Sequence, residues 1–298
     1  MDLLASIRSG RRLVADGAMG TMLFQRGLKP GDCPEAMNLD HPELLSEIAR
    51  LYLEAGADIV QTNTFGGSSL KLAQYGLQGR VRDICVNAVN AARAVVGKKV
   101  FVSGSCGPCG RLLEPFGDIN ADAVFDSFKE QTGTLIEAGV DIICVETMTD
   151  VNEAMLAVKA AKSIQQSVPV MATMTFDSTP RGFYTIMGTT VEQACKALAD
   201  AGADVIGSNC GNGIENMVRI AAEFRKYSSL PLIIQSNAGL PQLVDGQLVY
   251  AETPEFMAKH CERLLDIGVD IIGGCCGTTP EHIAGIREVV DRYNKAQA

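Results

Sequence analysis

Two adjacent cysteines between glycines are the residues of this sequence whose types and spacing most strongly indicate chemistry. The run Gly273-Gly274-Cys275-Cys276-Gly277-Thr278-Thr279-Pro280 follows an apolar segment at 269–272. Side chains alternate between the two faces of a strand, so neighbouring thiols reach one ion only where the strand ends and the backbone turns. The flanking glycines permit such a turn. We therefore interpret Cys275 and Cys276 as metal ligands.

A third thiol, Cys210, occupies the corresponding place in an earlier repeat, where the apolar run 203–207 ends in Ser208-Asn209-Cys210-Gly211. For Cys210 alone the alternative is core packing, because free cysteine is among the most buried residue types. For the adjacent pair, valine or alanine would fill space equally well, so the three thiols together favour a metal site. Three thiolates around Zn²⁺ leave the fourth tetrahedral position open, which is the arrangement of a catalytic site.

The type of ligand limits the reaction. Three thiolates and one dication leave a net negative charge, whereas neutral histidine ligands leave a dication that acidifies water for hydrolysis. A thiolate-bound metal is suited to bind a substrate thiol, lower its pKa and keep it nucleophilic near neutral pH. We interpret the three histidines, His41, His260 and His282, as surface or helix positions without a catalytic role.

Short apolar, β-rich runs alternate with amphipathic helical stretches along the 298 residues, which predicts parallel strands joined by crossover helices. In four of these units a helix ends at a glycine suited to the left-handed cap, and a buried strand follows at once. Eight units fit one (β/α)8 TIM barrel, an α/β fold, better than a doubly wound sheet, and we predict a single domain over residues 1–298. The predicted strands cover residues 12–16, 57–62, 100–104, 141–146, 169–175, 203–207, 232–236 and 269–273.

Active sites of this barrel fold lie at the C-terminal ends of the strands, and these ends are polar here. Asp16 and Glu146 are suited to orient the ammonium group of an amino-acid substrate. The alternative for each is a carboxylate that is satisfied by nearby backbone N–H groups. We predict a substrate site in which the three cysteines are joined by Asp16, Gly17, Asn63, Ser105, Glu146 and Asn237.

Composition excludes several classes of partner. A net charge of −9 and a pI near 4.9 argue against a nucleic-acid or anionic-membrane surface, because phosphate binding depends on clustered lysine and arginine. No apolar run reaches the roughly 18 residues of a membrane span, and the N-terminal residues lack a signal-peptide pattern. Ten cysteines without such a pattern predict free thiols in the reducing cytoplasm.

Five stretches at predicted strand ends carry a family resemblance that spans essentially the whole chain. They are Asp16-Gly17-Ala18-Met19-Gly20-Thr21, Gln61-Thr62-Asn63-Thr64-Phe65, Glu146-Thr147, Asn209-Cys210-Gly211 and the segment 273–283. The sequence resembles the homocysteine S-methyltransferase family, above all the homocysteine-binding module at the start of the cobalamin-dependent methionine synthases. The segment 273–283 is highly specific for this family, and the others are moderately so.

The resemblance implies a zinc ion held by Cys210, Cys275 and Cys276, with the sulfur of homocysteine as the fourth ligand. It also implies that Glu146 engages the substrate amino group, and that Asp16, Gly17 and Ser105 help to hold the amino-acid end. The reaction that it implies is transfer of a methyl group to homocysteine, which gives methionine.

The methyl donor is less well indicated, because family members use methylcobalamin, betaine or S-methylmethionine. A quaternary ammonium donor is usually held in an aromatic cage, and this chain has no tryptophan and only 5% aromatic residues, which disfavours betaine. The similarity to the cobalamin-dependent branch favours a methyl-corrinoid donor. We expect methylcobalamin to be brought by a corrinoid-binding domain or protein, in cis or in trans, because this sequence leaves no segment to bind it.

The sequence departs from the family pattern at Ser105-Cys106-Gly107-Pro108-Cys109-Gly110, where a C-x-x-C pair replaces a Gly-Ser-x-Gly-Pro loop. The pair is interpreted as incidental thiols, with a redox pair or a second metal site as alternatives. Two other functions remain open. One is a phosphate-binding barrel lyase or isomerase, which Gly273-Gly274 would suit. The other is a non-catalytic module that only carries the substrate.

Overall fold

The computed structural model of the chain describes residues 2–244 and 247–297. Eight of its twelve strands are parallel and form one sheet, and the other four form two hairpins. In chain order the strands are β1 (Leu13–Val14), β2 (Ile59–Gln61), β3 (Phe101–Cys106), β4 (Ile142–Met148), β5 (Val170–Met174), β6 (Asp177–Thr179), β7 (Gly182–Tyr184), β8 (Val205–Asn209), β9 (Leu232–Ser236), β10 (Gln242–Val244), β11 (Gln247–Val249) and β12 (Ile271–Gly274).

The sheet closes on itself into a barrel. Its spatial order is β1, β12, β9, β8, β5, β4, β3 and β2, and a parallel bridge between Ala15 and Ile59 joins the two ends. Backbone hydrogen bonds from Asp16 to Ile59, at 3.0 Å, and from Asp58 to Val14, at 2.7 Å, complete the seam. The predicted (β/α)8 barrel is therefore confirmed. The predicted bounds of all eight barrel strands differ from those observed by no more than two residues.

Helices surround the barrel and follow the strands in sequence. The first, α1, precedes β1 and was not among the predicted elements; the two hairpins were not predicted either. In chain order the helices are α1 (Leu3–Arg8), α2 (Met19–Phe24), α3 (Met37–Asp40), α4 (Pro42–Glu54), α5 (Ser69–Leu72), α6 (Val81–Val96), α7 (Ala121–Ala138), α8 (Val151–Ile164), α9 (Val191–Ala201), α10 (Ile214–Tyr227), α11 (Pro254–Ile267) and α12 (Pro280–Gln297). Within the described residues, none of them has both the length and the apolar character needed to cross a membrane.

A repeated turn explains the glycine signature seen in the sequence. Four helices end at a glycine with positive φ, and an aspartate follows two residues later, just before the next strand. Each aspartate accepts a hydrogen bond from a backbone N–H of the preceding barrel strand and pairs with a lysine or arginine. The four aspartates, with their N–H donors and cations, are Asp58 (Val14, Arg287), Asp141 (Val102, Arg93), Asp204 (Val170, Lys162) and Asp270 (Leu232, Arg12).

The inside of the barrel changes from apolar to polar along the strands. One apolar side chain from each barrel strand packs at the N-terminal end against Leu3 and Ile7 of α1. Because side chains on one face recur every second residue, positions four residues further along lie at the same inner face near the mouth. The apolar set is Leu13, Ile59, Phe101, Ile142, Met171, Val205, Ile233 and Ile271; the positions four residues later hold Gly17, Asn63, Ser105, Glu146, Thr175, Asn209, Asn237 and Cys275.

Candidate metal and substrate site

The structure brings together the three thiols at the C-terminal mouth of the barrel. Cys210 directly follows β8, Cys275 directly follows β12, and the sulfur atoms of Cys210, Cys275 and Cys276 all lie within 4.8 Å of one another. The Cys210 and Cys276 sulfurs are 3.8 Å apart. A tetrahedral zinc ion with Zn–S bonds of about 2.3 Å requires sulfur atoms about 3.8 Å apart. The spacing and the donor type therefore fit a zinc ion.

The local backbone at the first thiol is strained. Cys210 has a φ of 60°, in the left-handed region that residues with a side chain rarely adopt, and Thr147 on the facing strand has a φ of 58°. Such outliers persist only where the surrounding structure holds them, and they cluster at functional sites. The strain at Cys210 turns its thiol back toward the end of β12, where the other two cysteines lie.

The thiols perturb one another's ionisation. Hydrogen bonds from Cys275 and Cys276, with a further one from Asn237, lower the pKa of Cys210 to about 3. The same interaction with Cys210 raises the pKa of Cys276 to about 11 and the pKa of Cys275 well above its ordinary value. One sulfur thus carries the negative charge while its neighbours donate hydrogen bonds to it. Ionisation of all three thiols near neutral pH requires a cation between them.

Two buried carboxyl groups lie beside the thiols. Burial raises the pKa of Glu146 to about 7 and the pKa of Asp16 to about 8. Glu146 accepts a hydrogen bond from the Ser105 hydroxyl at 2.5 Å, and Asp16 accepts one from the backbone N–H of Gln61 at 2.8 Å. The second oxygen of Asp16 is buried without a hydrogen-bond partner. A ligand with hydrogen-bond donors and a positive charge would satisfy this oxygen and favour ionisation of both groups.

The side chain of Asn209 connects the acids with the thiols, although sequence reasoning did not select it as a site residue. Its amide nitrogen donates to Glu146 at 3.3 Å and to the Cys275 sulfur at 3.7 Å. It also donates to the Thr147 hydroxyl, and its oxygen accepts from the Thr147 backbone N–H and the Thr173 hydroxyl, each at 2.7 Å. The only sequence signal was its place directly before Cys210.

A cavity of 230 Å³ opens over Glu146 and the three thiols, whereas Asp16, Asn209 and Asn237 lie behind its lining residues. Its walls carry two carboxyl groups, Glu35 and Glu146, and one aromatic ring, Phe65, and no lysine or arginine is among the lining residues that the structure describes. Glu35 lies in the short 3-10 helix Pro34–Ala36, which carries no sequence signal, and it accepts the backbone N–H of Gly66 at 2.6 Å. The cavity therefore suits a ligand with a cationic group at one end and a metal-binding atom at the other.

The remaining predicted site residues have differing surroundings. Ser105 faces the cavity through its bond to Glu146, and the Asn63 amide, which also lines the cavity, is held by Pro34 and Asn38. Gly17 has no room for a side chain, since a Cβ would lie 2.7 Å from the Thr278 hydroxyl oxygen. Asn237 is buried beside Cys210, and its side-chain oxygen has no hydrogen-bond partner.

The C-x-x-C pair has the character of inert core thiols. Cys106 and Cys109 are fully buried, and their nearest hydrogen-bond acceptors are the backbone carbonyls of Gly104 and Arg111. Burial raises the pKa of Cys109 to about 12 and that of Cys106 well above its ordinary value. Within the part of the chain that the structure describes, they belong to no group of three potential metal ligands, which favours the interpretation as incidental thiols.

The three histidines lie outside the thiol cluster, but one of them is not at the surface. His41 precedes α4 and is exposed, and His260 lies on α11. His282 lies on α12 and is only 6% exposed, because both of its ring nitrogens are hydrogen-bonded. The expectation of a helix position holds for His282, and that of a surface position does not.

Comparison with known proteins gives a consistent family. The family model for homocysteine S-methyltransferase matches residues 13–290. Methionine synthase of Mycobacterium leprae (strain TN) is 33% identical over 310 residues, which cover 98% of this chain and 25% of that protein. Methionine synthase of Mycobacterium tuberculosis (strain ATCC 25618 / H37Rv) is 33% identical over 311 residues, which cover 99% and 26%. This chain thus spans about a quarter of the length of these two relatives.

Solved structures share the fold. The metallated form of the homocysteine methyltransferase MmuM from Escherichia coli has a TM-score of 0.79 to this chain at 23% identity, and the match covers 96% of this chain and 99% of that one. At this identity the likeness supports the barrel architecture.

Proposed function

Because the chain belongs to the homocysteine S-methyltransferase family, we propose that it transfers a methyl group to the sulfur of homocysteine and so forms methionine. The observation that carries this proposal is the cluster of three thiols, which opens into a cavity with buried carboxyl groups on its walls. The chemistry of these groups matches an amino acid that has a thiol at one end and an ammonium group at the other. We further propose that residues 1–298 form one homocysteine-binding domain.

Cys210, Cys275 and Cys276 are the proposed ligands of a zinc ion, and their spacing fits it. A zinc ion held by these three thiols would lower the pKa of a substrate thiol and favour its thiolate form. Asn209 donates a hydrogen bond to Cys275 and thereby holds this ligand in place.

The amino-acid end of homocysteine is assigned to the buried acids. Glu146 is proposed to pair with the ammonium group, with Asp16 beside it, and Ser105 keeps the Glu146 carboxylate in position. Gly17 and Asn63 line the cavity, and Asn237 lies buried beside Cys210. These contacts fix the direction in which the sulfur points.

In the proposed reaction the homocysteine thiolate attacks the methyl carbon in line. The sulfur–carbon bond forms while the bond between carbon and donor breaks, and the donor keeps the electron pair. The thiol proton has already left to solvent, so no general base is required at this step. Release of methionine would be favoured, because its thioether sulfur is a weaker metal ligand than the homocysteine thiolate.

A methyl-corrinoid is the proposed donor, carried by a corrinoid-binding domain or protein in cis or in trans. One aromatic side chain, Phe65, lines the cavity, whereas a quaternary ammonium group is usually held by several rings, which disfavours betaine. The lyase or isomerase alternative needs a phosphate site, and the two carboxyl groups of the cavity would repel a phosphate.

A side-by-side assay tests this function. The chain loaded with Zn²⁺ is incubated with homocysteine and either methylcobalamin, betaine or S-methylmethionine, and methionine is measured. We expect methionine from methylcobalamin, together with the change in the cobalt spectrum that accompanies loss of the methyl group. Methionine formed only from betaine or S-methylmethionine would overturn the assignment of a corrinoid donor. If homocysteine binds but no donor yields methionine, the alternative of a non-catalytic module that only carries the substrate would be favoured.

Asn209→Asp is expected to weaken homocysteine binding by more than about tenfold, because loss of a hydrogen bond to a charged group is worth about 1.5–3 kcal/mol. The carboxylate keeps the acceptor for the Thr147 N–H but places an oxygen where the amide donates to Glu146 and Cys275. The KM for homocysteine, kcat and the melting temperature are measured. A melting temperature that falls while KM is unchanged would show that Asn209 is only structural.

A further inference from the structure

A loop without cysteine joins the two loops that carry the thiols. Cys210 lies between β8 and α10, and Cys275 and Cys276 lie between β12 and α12. The segment 250–253, directly before α11, reaches both of them through Glu252. None of the candidate site residues described above belongs to this segment.

The carboxylate of Glu252 is bound to the Cys210 loop. Its Oε2 accepts the backbone N–H of Ile214, the first residue of α10, at 3.0 Å. The helix has Gly213 at its N-cap and therefore no side chain of its own to accept this bond. A Cβ on Gly213 would lie 2.0 Å from Glu252 Oε1, so only glycine permits this approach. Glu252 thus fixes the helix start four residues after Cys210.

The backbone of Glu252 is bound to the Cys275–Cys276 loop through His282. The carbonyl oxygen of Glu252 lies 3.0 Å from Nε2 of His282, and Nδ1 of His282 accepts the backbone N–H of Thr279 at 3.2 Å. Since Nδ1 is an acceptor, the proton lies on Nε2, which donates to Glu252. His282 is the third residue of α12 and bonds to the residue before the helix, as glutamine or glutamate does in a capping box.

Thr278, two residues before α12, and Ala238, shortly after β9, hold the backbone of the thiol loop. The Thr278 hydroxyl donates to the carbonyl of Cys275 at 2.7 Å, and the backbone N–H of Ala238 donates to the carbonyl of Cys276 at 3.0 Å. Glu252 also donates its own N–H to Ala238 at 3.0 Å. A continuous set of hydrogen bonds therefore connects the helix start after Cys210 with the backbone of both other cysteines.

We propose that Glu252 and His282 form a clasp that sets the distance between the Cys210 loop and the Cys275–Cys276 loop. Both are positioning residues, since neither side chain is hydrogen-bonded to a thiol in the described structure. The proposal rests on metal binding by the three cysteines. Residues that orient metal ligands in this way typically contribute about 10- to 100-fold to metal affinity.

Two substitutions at position 282 distinguish the hydrogen bond that caps α12 from the hydrogen bond that binds Glu252. His282→Gln keeps an acceptor for the Thr279 N–H and a donor for the Glu252 carbonyl, whereas His282→Glu keeps the acceptor and loses the donor. We expect Zn²⁺ affinity close to that of the unmodified chain for His282→Gln and a loss of about 10- to 100-fold for His282→Glu. Glu252→Ala, which frees the Ile214 N–H, is expected to cause a similar loss.

The measurement is the affinity of the full chain for Zn²⁺ alone, by competition with a chromophoric chelator and without homocysteine. The melting temperature of each variant is recorded beside it. The matched control is Gln193→Ala, which removes the capping-box bond of α9, a helix whose start lies next to no metal ligand. We expect this control to lower the melting temperature and leave the Zn²⁺ affinity unchanged.

The possible results discriminate between the clasp and the metal site itself. Equal Zn²⁺ affinity of His282→Gln, His282→Glu and Glu252→Ala, with tight binding by the unmodified chain, would overturn the clasp alone. Absence of Zn²⁺ binding by the unmodified chain would overturn the metal site and the clasp with it. If His282→Glu fails to fold, the Zn²⁺ affinity of Glu252→Ala, compared with that of the unmodified chain, tests the clasp. In the Glu252→Ala, His282→Glu double variant, the loss in free energy of Zn²⁺ binding is compared with the sum of the losses in the two single variants. A loss smaller than this sum supports one coupled unit.

Discussion

Replacing Cys276 with alanine is expected to abolish tight zinc binding and methyl transfer together. The variant retains two of the three thiols, and the 3.8 Å contact between Cys210 and Cys276 is lost. The loss should exceed about 100-fold in Zn²⁺ affinity, the upper range for residues that only orient a ligand, because this side chain is itself a proposed ligand. Metal content after dialysis and the rate of methionine formation are the two measurements.

Cys109→Ala is the matched control for this experiment. It also removes one thiol near the barrel mouth, but that thiol is fully buried and its pKa is raised to about 12. We expect one zinc ion per chain and undiminished methyl transfer in the control. Retention of zinc with unchanged affinity in Cys276→Ala would contradict the thiol site, and loss of zinc in Cys109→Ala would place a second metal at the C-x-x-C pair.

The alternation of side chains along barrel strands explains why so much of the candidate site was readable from sequence. Once a strand end is located, period-two spacing identifies the residue that faces the mouth, without knowledge of the loops. The inner positions near the mouth include Gly17, Asn63, Ser105, Glu146 and Cys275, all of which were selected from the sequence. Fold and mouth residues therefore follow from local pattern.

Contacts that depend on the paths of loops were not readable in this way. Asn209 occupies an inner mouth position, but its role depends on a donor in β4, the Thr147 N–H, and on an acceptor directly after β12, the Cys275 sulfur, which meet at one amide. Glu35 lies in a short 3-10 helix and Glu252 in a loop, both outside the sequence motifs, and only the folded chain brings Glu35 to the cavity and Glu252 to the loop after Cys210. The buried state of His282 likewise depends on the loop before α11.

The candidate site concentrates features that lower stability. Cys210 and Thr147 are held at positive φ, and Asp16 is a buried carboxyl with one oxygen that lacks a partner. Such features each cost about 1–3 kcal/mol and persist where function requires them. Relief of one of them should therefore raise stability at the expense of ligand binding.

Asp16→Asn is expected to raise the melting temperature at alkaline pH and to weaken ligand binding. Burial raises the pKa of Asp16 from 3.8 to about 8, so between these values the folded state holds a proton that the unfolded state has released. Stability therefore falls as pH rises through this window and is lowest above it. Asparagine keeps the acceptor for the Gln61 N–H and carries no titrating charge. Above about pH 8 we expect the melting temperature of the variant to exceed that of the unmodified chain by roughly 2–8 °C, which corresponds to about 1–2 kcal/mol in the free energy of unfolding for a chain of this size. Near about pH 4 the two melting temperatures should be similar.

The affinity for methionine measures the expected loss of ligand binding. Methionine is the suitable ligand because it carries the ammonium group without an ionisable thiol. Affinity of the unmodified chain should rise as Asp16 ionises near pH 8, and Asp16→Asn should retain only the rise near pH 7 that Glu146 contributes. Above these values the variant should bind on the order of 10- to 100-fold more weakly. Asp177→Asn, which changes an exposed carboxyl, serves as the control and should alter neither quantity. A melting temperature for Asp16→Asn that shows no pH-dependent gain, or methionine affinity equal to that of the unmodified chain, would remove Asp16 from the proposed ammonium site.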